Sequence, residues 1–241
     1  MTGTAPAATG TLYLIPTPID EDAIGTLPPA TLDVACRLRH FIAETPKHAR
    51  QFLRKAGLTA PLQELSILTL DNNVPPDRVP ELLAPLLAGH DTGLVSDAGC
   101  PGVADPGAAL VRLAHDRGIR VVPLVGPSAI LLALMASGMN GQQFEFCGYL
   151  PVEDAARANR LQQLERESRS SGVTRIFIET PYRNQRMLAS ILRHCDAKTM
   201  LSVATGLTGP GACIISQRVS AWRKAGVELP RVPAVFLLSA R

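Results

Sequence analysis

Short apolar runs alternate with helix-length segments along nearly the whole chain, and this alternation restricts the fold more than any other feature. Leu12-Tyr13-Leu14-Ile15 stops at Pro16 and Pro18. A helical stretch over 30–39 leads to the strand-like Phe41-Ile42-Ala43, and Pro46 opens a helix over 46–56 that Gly57 closes. The pattern continues with a strand over 65–70, a helix over 78–88, a strand over 93–96, a helix over 108–117 and a strand over 119–122. Strand-helix repetition of this kind predicts a mainly parallel sheet with helices on both faces. After an apolar helix that ends near Ser137, the second half reads strand 144–149, helix 153–170, strand 173–179 and helix 182–194, then strands near 200–204, 212–216 and 232–238. Those last strands lack long crossovers, so part of a second sheet is expected to be antiparallel.

The expectation is an α/β protein of two α/β domains, 11–124 and 125–241, after a disordered start over 1–10. That start is small and polar and is not a signal peptide. The uncharged stretch 121–139 is as long as a membrane span, but Pro123, Gly126, Pro127 and Ser128 break it near its beginning, which argues against a membrane protein. The five cysteines form no C-x-x-C pair, so neither a metal site nor a thiol redox motif is indicated; they read as buried small hydrophobes in a reducing compartment, the cytoplasm. A net charge of +3 permits an anionic partner, while an aromatic content of 4% leaves little means of gripping bare single-stranded RNA by stacking.

In open α/β sheets ligands bind beyond the carboxyl ends of the strands. Four strands here run into unusual loops: Pro16-Thr17-Pro18-Ile19, the segment 96–107 (SDAGCPGVADPG), Val125-Gly126-Pro127-Ser128-Ala129, and Glu179-Thr180-Pro181-Tyr182-Arg183. Glycines in such loops let a ligand approach the backbone. Each loop also has a purely structural reading. Asp105 and Ser128 suit helix caps, Asp97 a loop hydrogen bond, Glu179 a pair with Arg183, and Cys100 simple filling. Neither G-x-G-x-x-G nor a P-loop occurs, which disfavours a dinucleotide or nucleoside-triphosphate site.

At these loops the chain resembles the tetrapyrrole-methylase superfamily, and within it the small-subunit ribosomal RNA ribose methyltransferases. The resembling segments are LYLIPTPI at 12–19, FIAETPKHAR at 41–50, LVSDAGCPGVADPG at 94–107, GIRVVPLVGPSAILLALMASG at 118–138, FCGYLP at 146–151 and ETPYRN at 179–184. The resemblance implies a homodimer of two-domain subunits, with S-adenosylmethionine in a cleft between the domains and a ribosomal RNA or ribosomal subunit as substrate partner. It assigns cofactor contacts to Pro18, Asp97, Cys100, Ser128 and Ala129, and by weaker matches to Ile178, Leu207 and Ala234. No metal is implied.

The match is incomplete. Where the family reads AEDTRHT, this chain reads Ala43-Glu44-Thr45-Pro46-Lys47-His48-Ala49, and where it reads RELTK, this chain has Thr205-Gly206-Leu207-Thr208-Gly209. The family's HDHNE loop is represented by Leu70-Asp71-Asn72-Asn73. A cofactor platform is kept while charged groups for the substrate are altered. Methylating a hydroxyl calls for a general base. Glu44 is the first candidate, then Glu179, then His48; Lys47, Arg50, Arg54 and Lys55 share a helix beside Glu44 and form either a phosphate-facing or a solvated surface. The alternatives are methylation of a tetrapyrrole carbon or another small molecule, and cofactor binding without catalysis.

Overall fold

The computed structural model describes residues 9–71 and 73–240. They form two compact units that divide between Pro127 and Ser128, where the sequence suggested 124/125.

The first unit contains β1 (Leu12–Ile15), α1 (Pro29–Arg37), β2 (His40–Ala43), α2 (Pro46–Lys55), β3 (Ser66–Thr69), α3 (Ala84–Leu87), β4 (Thr92–Val95), α4 (Gly107–Asp116) and β5 (Val121–Pro123). Its five strands pair in the order β3-β2-β4-β1-β5, all parallel. Side chains alternate across each strand. Leu12, Ile42 and Leu94 therefore join Leu83, Leu86 and Leu110 on one face. Ile15, Phe41 and Val95 join Ala35, Phe52 and Leu53 on the other. Both faces are covered, as such a sheet requires.

Two expectations are corrected in this unit. The helix expected over 78–88 is a 3-10 turn (Val79–Leu83) followed by the four-residue α3. Pro85 has no N–H for a bond to the carbonyl four residues back, and its ring would collide there, so the winding changes before it. Residues 1–8 of the stretch expected to be disordered lie outside the described residues, but Gly10 is anchored. It is buried, and its N–H donates to the Leu86 carbonyl at 2.8 Å.

The second unit contains α5 (Ala129–Ser137), β6 (Phe144–Tyr149), α6 (Asp154–Ser171), β7 (Thr174–Glu179), α7 (Asn184–His194), β8 (Met200–Thr205), β9 (Cys213–Arg218), α8 (Val219–Ala225) and β10 (Ala234–Ser239). The sheet order is β6-β7-β10-β8-β9; β6 and β7 are parallel and the other pairs antiparallel. Phe177 and Phe236 are directly opposed on β7 and β10, with ring centroids 5.6 Å apart. Trp222 of α8 is buried and donates its indole N–H to the Leu201 carbonyl. The sequence reading lacked α8, although Gly226, with φ of +58°, closes it as a left-handed cap. Among the described residues no helix is long and apolar enough to cross a membrane. The cysteines are free thiols, but only Cys195 is buried as expected; Cys36, Cys100 and Cys147 are partly exposed, and Cys213 is exposed on the edge strand β9, which has a neighbour on one side only.

Candidate cofactor and active site

Parallel pairing sets the carboxyl ends of the first unit's strands level: Ile15 and Ala43 both face Val95, and Ala43 also faces Thr69. Loops distant in sequence therefore meet along one sheet edge. The β1 loop is stitched to the β4 loop by reciprocal bonds between Thr17 and Gly99, from Thr17 N to Gly99 O at 2.9 Å and from Gly99 N to Thr17 O at 3.1 Å. Thr17 Oγ1 also donates to Ser96 O, and Ser96 Oγ to Gly99 O. Gly99 has a φ of +73°, open to glycine at little cost. The β5 loop crosses the β1 loop so closely that a Cβ on Gly126 would lie 2.3 Å from the Cβ of Pro16. Cys100 bridges to this loop through Sγ and the Pro127 carbonyl, and burial followed by the nearby Asp105 pushes its thiol upward, away from a reactive thiolate.

Asp97 stands at the end of β4, next to the loop after β2. It accepts from Thr45 N at 3.2 Å and from Thr45 Oγ1 at 2.6 Å, and it lies 3.0 Å from His48 Nδ1. A cavity of about 160 Å³ opens here, lined among others by Thr17, Pro18, Ile19, His48, Phe52 and Asp97. Asp105 accepts from Gly102 N and Gly107 N on one oxygen, tying the loop to the first residue of α4; it does so from the position before the N-cap, which is Pro106 and not Asp105.

Glu44 follows β2 and is half-buried. Its carboxylate makes no hydrogen bond or ion pair among the described residues. Burial, then repulsion from Asp97, Asp105 and Asp71, hold it above the ordinary glutamate range. A carboxylate that is unengaged and shifted towards neutrality is suited to accept a proton. Glu179 is the opposite case. It is buried at 3% exposure, Oε1 accepts from Thr180 N at 2.7 Å, and Oε2 accepts from Arg183 Nη2 at 2.6 Å. With both oxygens engaged it holds the start of α7 rather than a substrate proton.

In the second unit the antiparallel register gathers three residues named from weaker matches. Val235 opposes Ile178, Ala234 opposes Glu179 on one side and Thr205 on the other, and Leu207 lies two residues past the end of β8. Asn184, which the sequence reading passed over within ETPYRN, fixes the approach to β10: its buried amide donates to Pro230 O and Val232 O. Ser128 precedes α5, yet its hydroxyl makes no capping bond, and α5 packs against β8, β9 and β10. The hydroxyl and the first amides of α5 are therefore not consumed by the helix.

No family model matches the chain. Over 199 residues it is 36% identical to the ribosomal RNA small subunit methyltransferase I of Xylella fastidiosa, covering 83% of this chain and 69% of that protein. The protein of the same name from Synechocystis is 35% identical over 199 residues, covering 83% and 67%. Among solved structures, the methyltransferase CobJ superposes with a TM-score of 0.61 at 19% identity, covering 97% of this chain and all of that one. A uroporphyrin-III-C-methyltransferase from Thermus thermophilus superposes with a TM-score of 0.57 at 17% identity, covering 95% and 92%. These two share the fold. By identity and by extent of match, the chain belongs to the ribosomal RNA small subunit methyltransferase I family.

Proposed function

We propose that this protein transfers a methyl group from S-adenosylmethionine to a ribose 2′-hydroxyl of small-subunit ribosomal RNA. The observation that carries the reading is the 36% identity over 199 residues, combined with a strand edge that offers an unengaged, proton-accepting Glu44. The residues present suit the cofactor. Asp97 and Pro18 border the cavity of the first unit, Gly99 keeps backbone accessible, and the Ser128 hydroxyl is free of capping. Asp97 would accept from hydroxyl or ammonium groups, while Ser128 and the Ala129 N–H would meet a carboxylate. Cys100, Ile178, Leu207 and Ala234 would supply small and apolar walls. When bound, the cofactor supplies an electrophilic methyl on a sulfonium.

The chain's own work is to orient the acceptor and to take its proton. Glu44 is the proposed acceptor of the hydroxyl proton. His48, oriented by Asp97, is a second group within the same loop cluster. Lys47, Arg50 and Arg54 are exposed on α2 and make no ion pair among the described residues, so they are available to phosphates. Lys55 is not: it pairs with Asp22 at 2.7 Å.

A homodimer in the cytoplasm completes the proposal. Leu131 and Met135 of α5 are 50% and 79% exposed, and Phe144 and Tyr149 of the edge strand β6 are 41% and 56% exposed, apolar side chains that a second copy would cover. Free thiols suit a reducing compartment.

The test is incubation with tritiated S-adenosylmethionine and small ribosomal subunits from a strain deleted for the gene. Label in a ribose of the small-subunit RNA is the expected result. Cofactor binding without any transfer would favour a binding protein. An unchanged ribose map with an altered corrinoid or haem profile in the deletion strain would favour tetrapyrrole methylation.

A further inference from the structure

The second unit contains a cavity of about 190 Å³ between α6 and α7, beyond the loop from Glu179 to Arg183. It is well above the roughly 15 Å³ that admits one water. Asp154, Arg157, Arg186, Ser190, Arg193 and His194 line it. Three guanidinium groups against one carboxylate leave a surplus of two positive charges. Glu153, next to Asp154 in the chain, accepts from Ala155 N at 2.9 Å and Ala156 N at 2.6 Å but keeps its negative charge, so counting it the surplus falls to one.

The cationic groups are held in different ways. Arg157 is only 4% exposed; it donates to Val152 O and pairs with Asp154, but its buried Nε has no partner. A buried donor left unmet is costly. Arg186 grips the same Asp154 through Nε at 3.0 Å and Nη2 at 2.8 Å. Arg193 is exposed and makes no ion pair or hydrogen bond among the described residues. The carbonyl end of α7 would oppose an anion, but Arg223 donates to Leu192 O and Cys195 O and offsets it.

We propose that this cavity binds a phosphate group, and that in the working enzyme the group is a phosphodiester of the RNA backbone. The chemistry is charge-assisted donation to an oxyanion from the unpaired Arg193, with Arg157 and Arg186 held nearby on Asp154. A single bound phosphate fixes register without reading a base, and it would add grip to a protein with few aromatics. The choice of RNA as the source rests on the substrate reading above; the anion site does not.

The experiment uses the full-length protein in three measurements. Inorganic phosphate is titrated while the His194 ring resonances are followed by NMR in wild type and in Arg193→Gln. Saturable shifts are expected, with affinity weakened about tenfold in the variant, the scale of one lost charge-assisted hydrogen bond. Binding of small ribosomal subunits is then measured against salt. Arg193→Gln is expected to lower the slope of log affinity against log salt by about one. Affinity for S-adenosylhomocysteine, measured by calorimetry, should be unchanged and certifies the fold; Arg193→Glu serves as a stronger second variant. Absence of phosphate-dependent shifts at His194 would overturn the site. Phosphate binding with an unaltered subunit affinity and salt slope would overturn the RNA assignment. If wild type binds phosphate at His194 but no ribosomal subunit, the substrate reading fails and the anion site stands.

Discussion

At the scale of single residues, the two candidate carboxylates are separated by what surrounds them. Glu44 is raised by burial first and by its acidic neighbours second, and nothing among the described residues engages its oxygens. Folding therefore favours its protonated form. Stability from this group is lost as pH rises from the ordinary glutamate value through the raised folded one. Glu44→Gln removes that penalty. The variant should melt no lower than wild type at neutral pH and bind cofactor equally, while turnover falls roughly 100-fold or more. Wild-type kcat should also rise with pH through the raised Glu44 value, and that limb should vanish in Glu44→Gln. Full turnover in this variant would shift the role to His48. For Glu179 the expectation reverses. Glu179→Ala strands Arg183 in a buried pair and should cost roughly 3 kcal/mol by chemical denaturation, the low end for such a loss because Arg183 keeps some access to water. Its activity per folded molecule should survive.

At the scale of elements, the site of the first unit depends on loops from separate strands lying within van der Waals distance. Gly126 is the tightest point. A methyl there meets the ring of Pro16 at 2.3 Å, and a proline ring fused to the backbone cannot swing aside. Gly126→Ala should lower stability by about 1–3 kcal/mol, the usual cost of overpacking, and should weaken cofactor affinity along with it, because Pro18 follows on the displaced loop. Thermal melting paired with calorimetry of S-adenosylhomocysteine would check both. A stable variant with reduced affinity would still support the role of this loop, whereas unchanged stability and unchanged affinity would show that the two loops yield independently.

At the scale of the whole molecule, the exposed apolar residues of α5 and β6 would gain from being covered by a partner. If the covering is a second copy, Met135→Glu should convert a dimer to a monomer in sedimentation velocity. A charge in an apolar interface is severely penalised, while at a 79% exposed position the isolated fold should tolerate it. A wild-type protein that sediments as a monomer at all concentrations would remove the dimer from the proposal.

The elements themselves were largely legible in the sequence, because period and punctuation are local properties. Pro46 and Gly57 bracket α2, the apolar runs Leu12–Ile15, Phe41-Ile42-Ala43 and Leu94-Val95 mark β1, β2 and β4, and the crowding of the last strands announced antiparallel pairing. What was misread locally was a helix carrying Pro85 in its middle and the short α8 ending at Gly226, both signals present but outvoted by pattern. The candidate residues of the loops were also visible, since glycine and proline at strand ends stand out from any background. Their chemistry was not. The local patterns of Glu44 and Glu179 are alike: each stands at the end of an apolar run, precedes a Thr-Pro pair and has a basic residue four positions on, His48 or Arg183. The difference arises because Arg183 and the Thr180 amide close around one, while parallel pairing of β2 with β3 and β4 brings Asp71, Asp97 and Asp105 towards the other. The link from Asp97 to Thr45 and His48 spans about fifty residues and exists only because β2 and β4 are neighbours in the sheet. Periodicity is written along the chain, whereas burial and charge proximity, which set a carboxylate's role, are properties of groups the chain brings together only when folded.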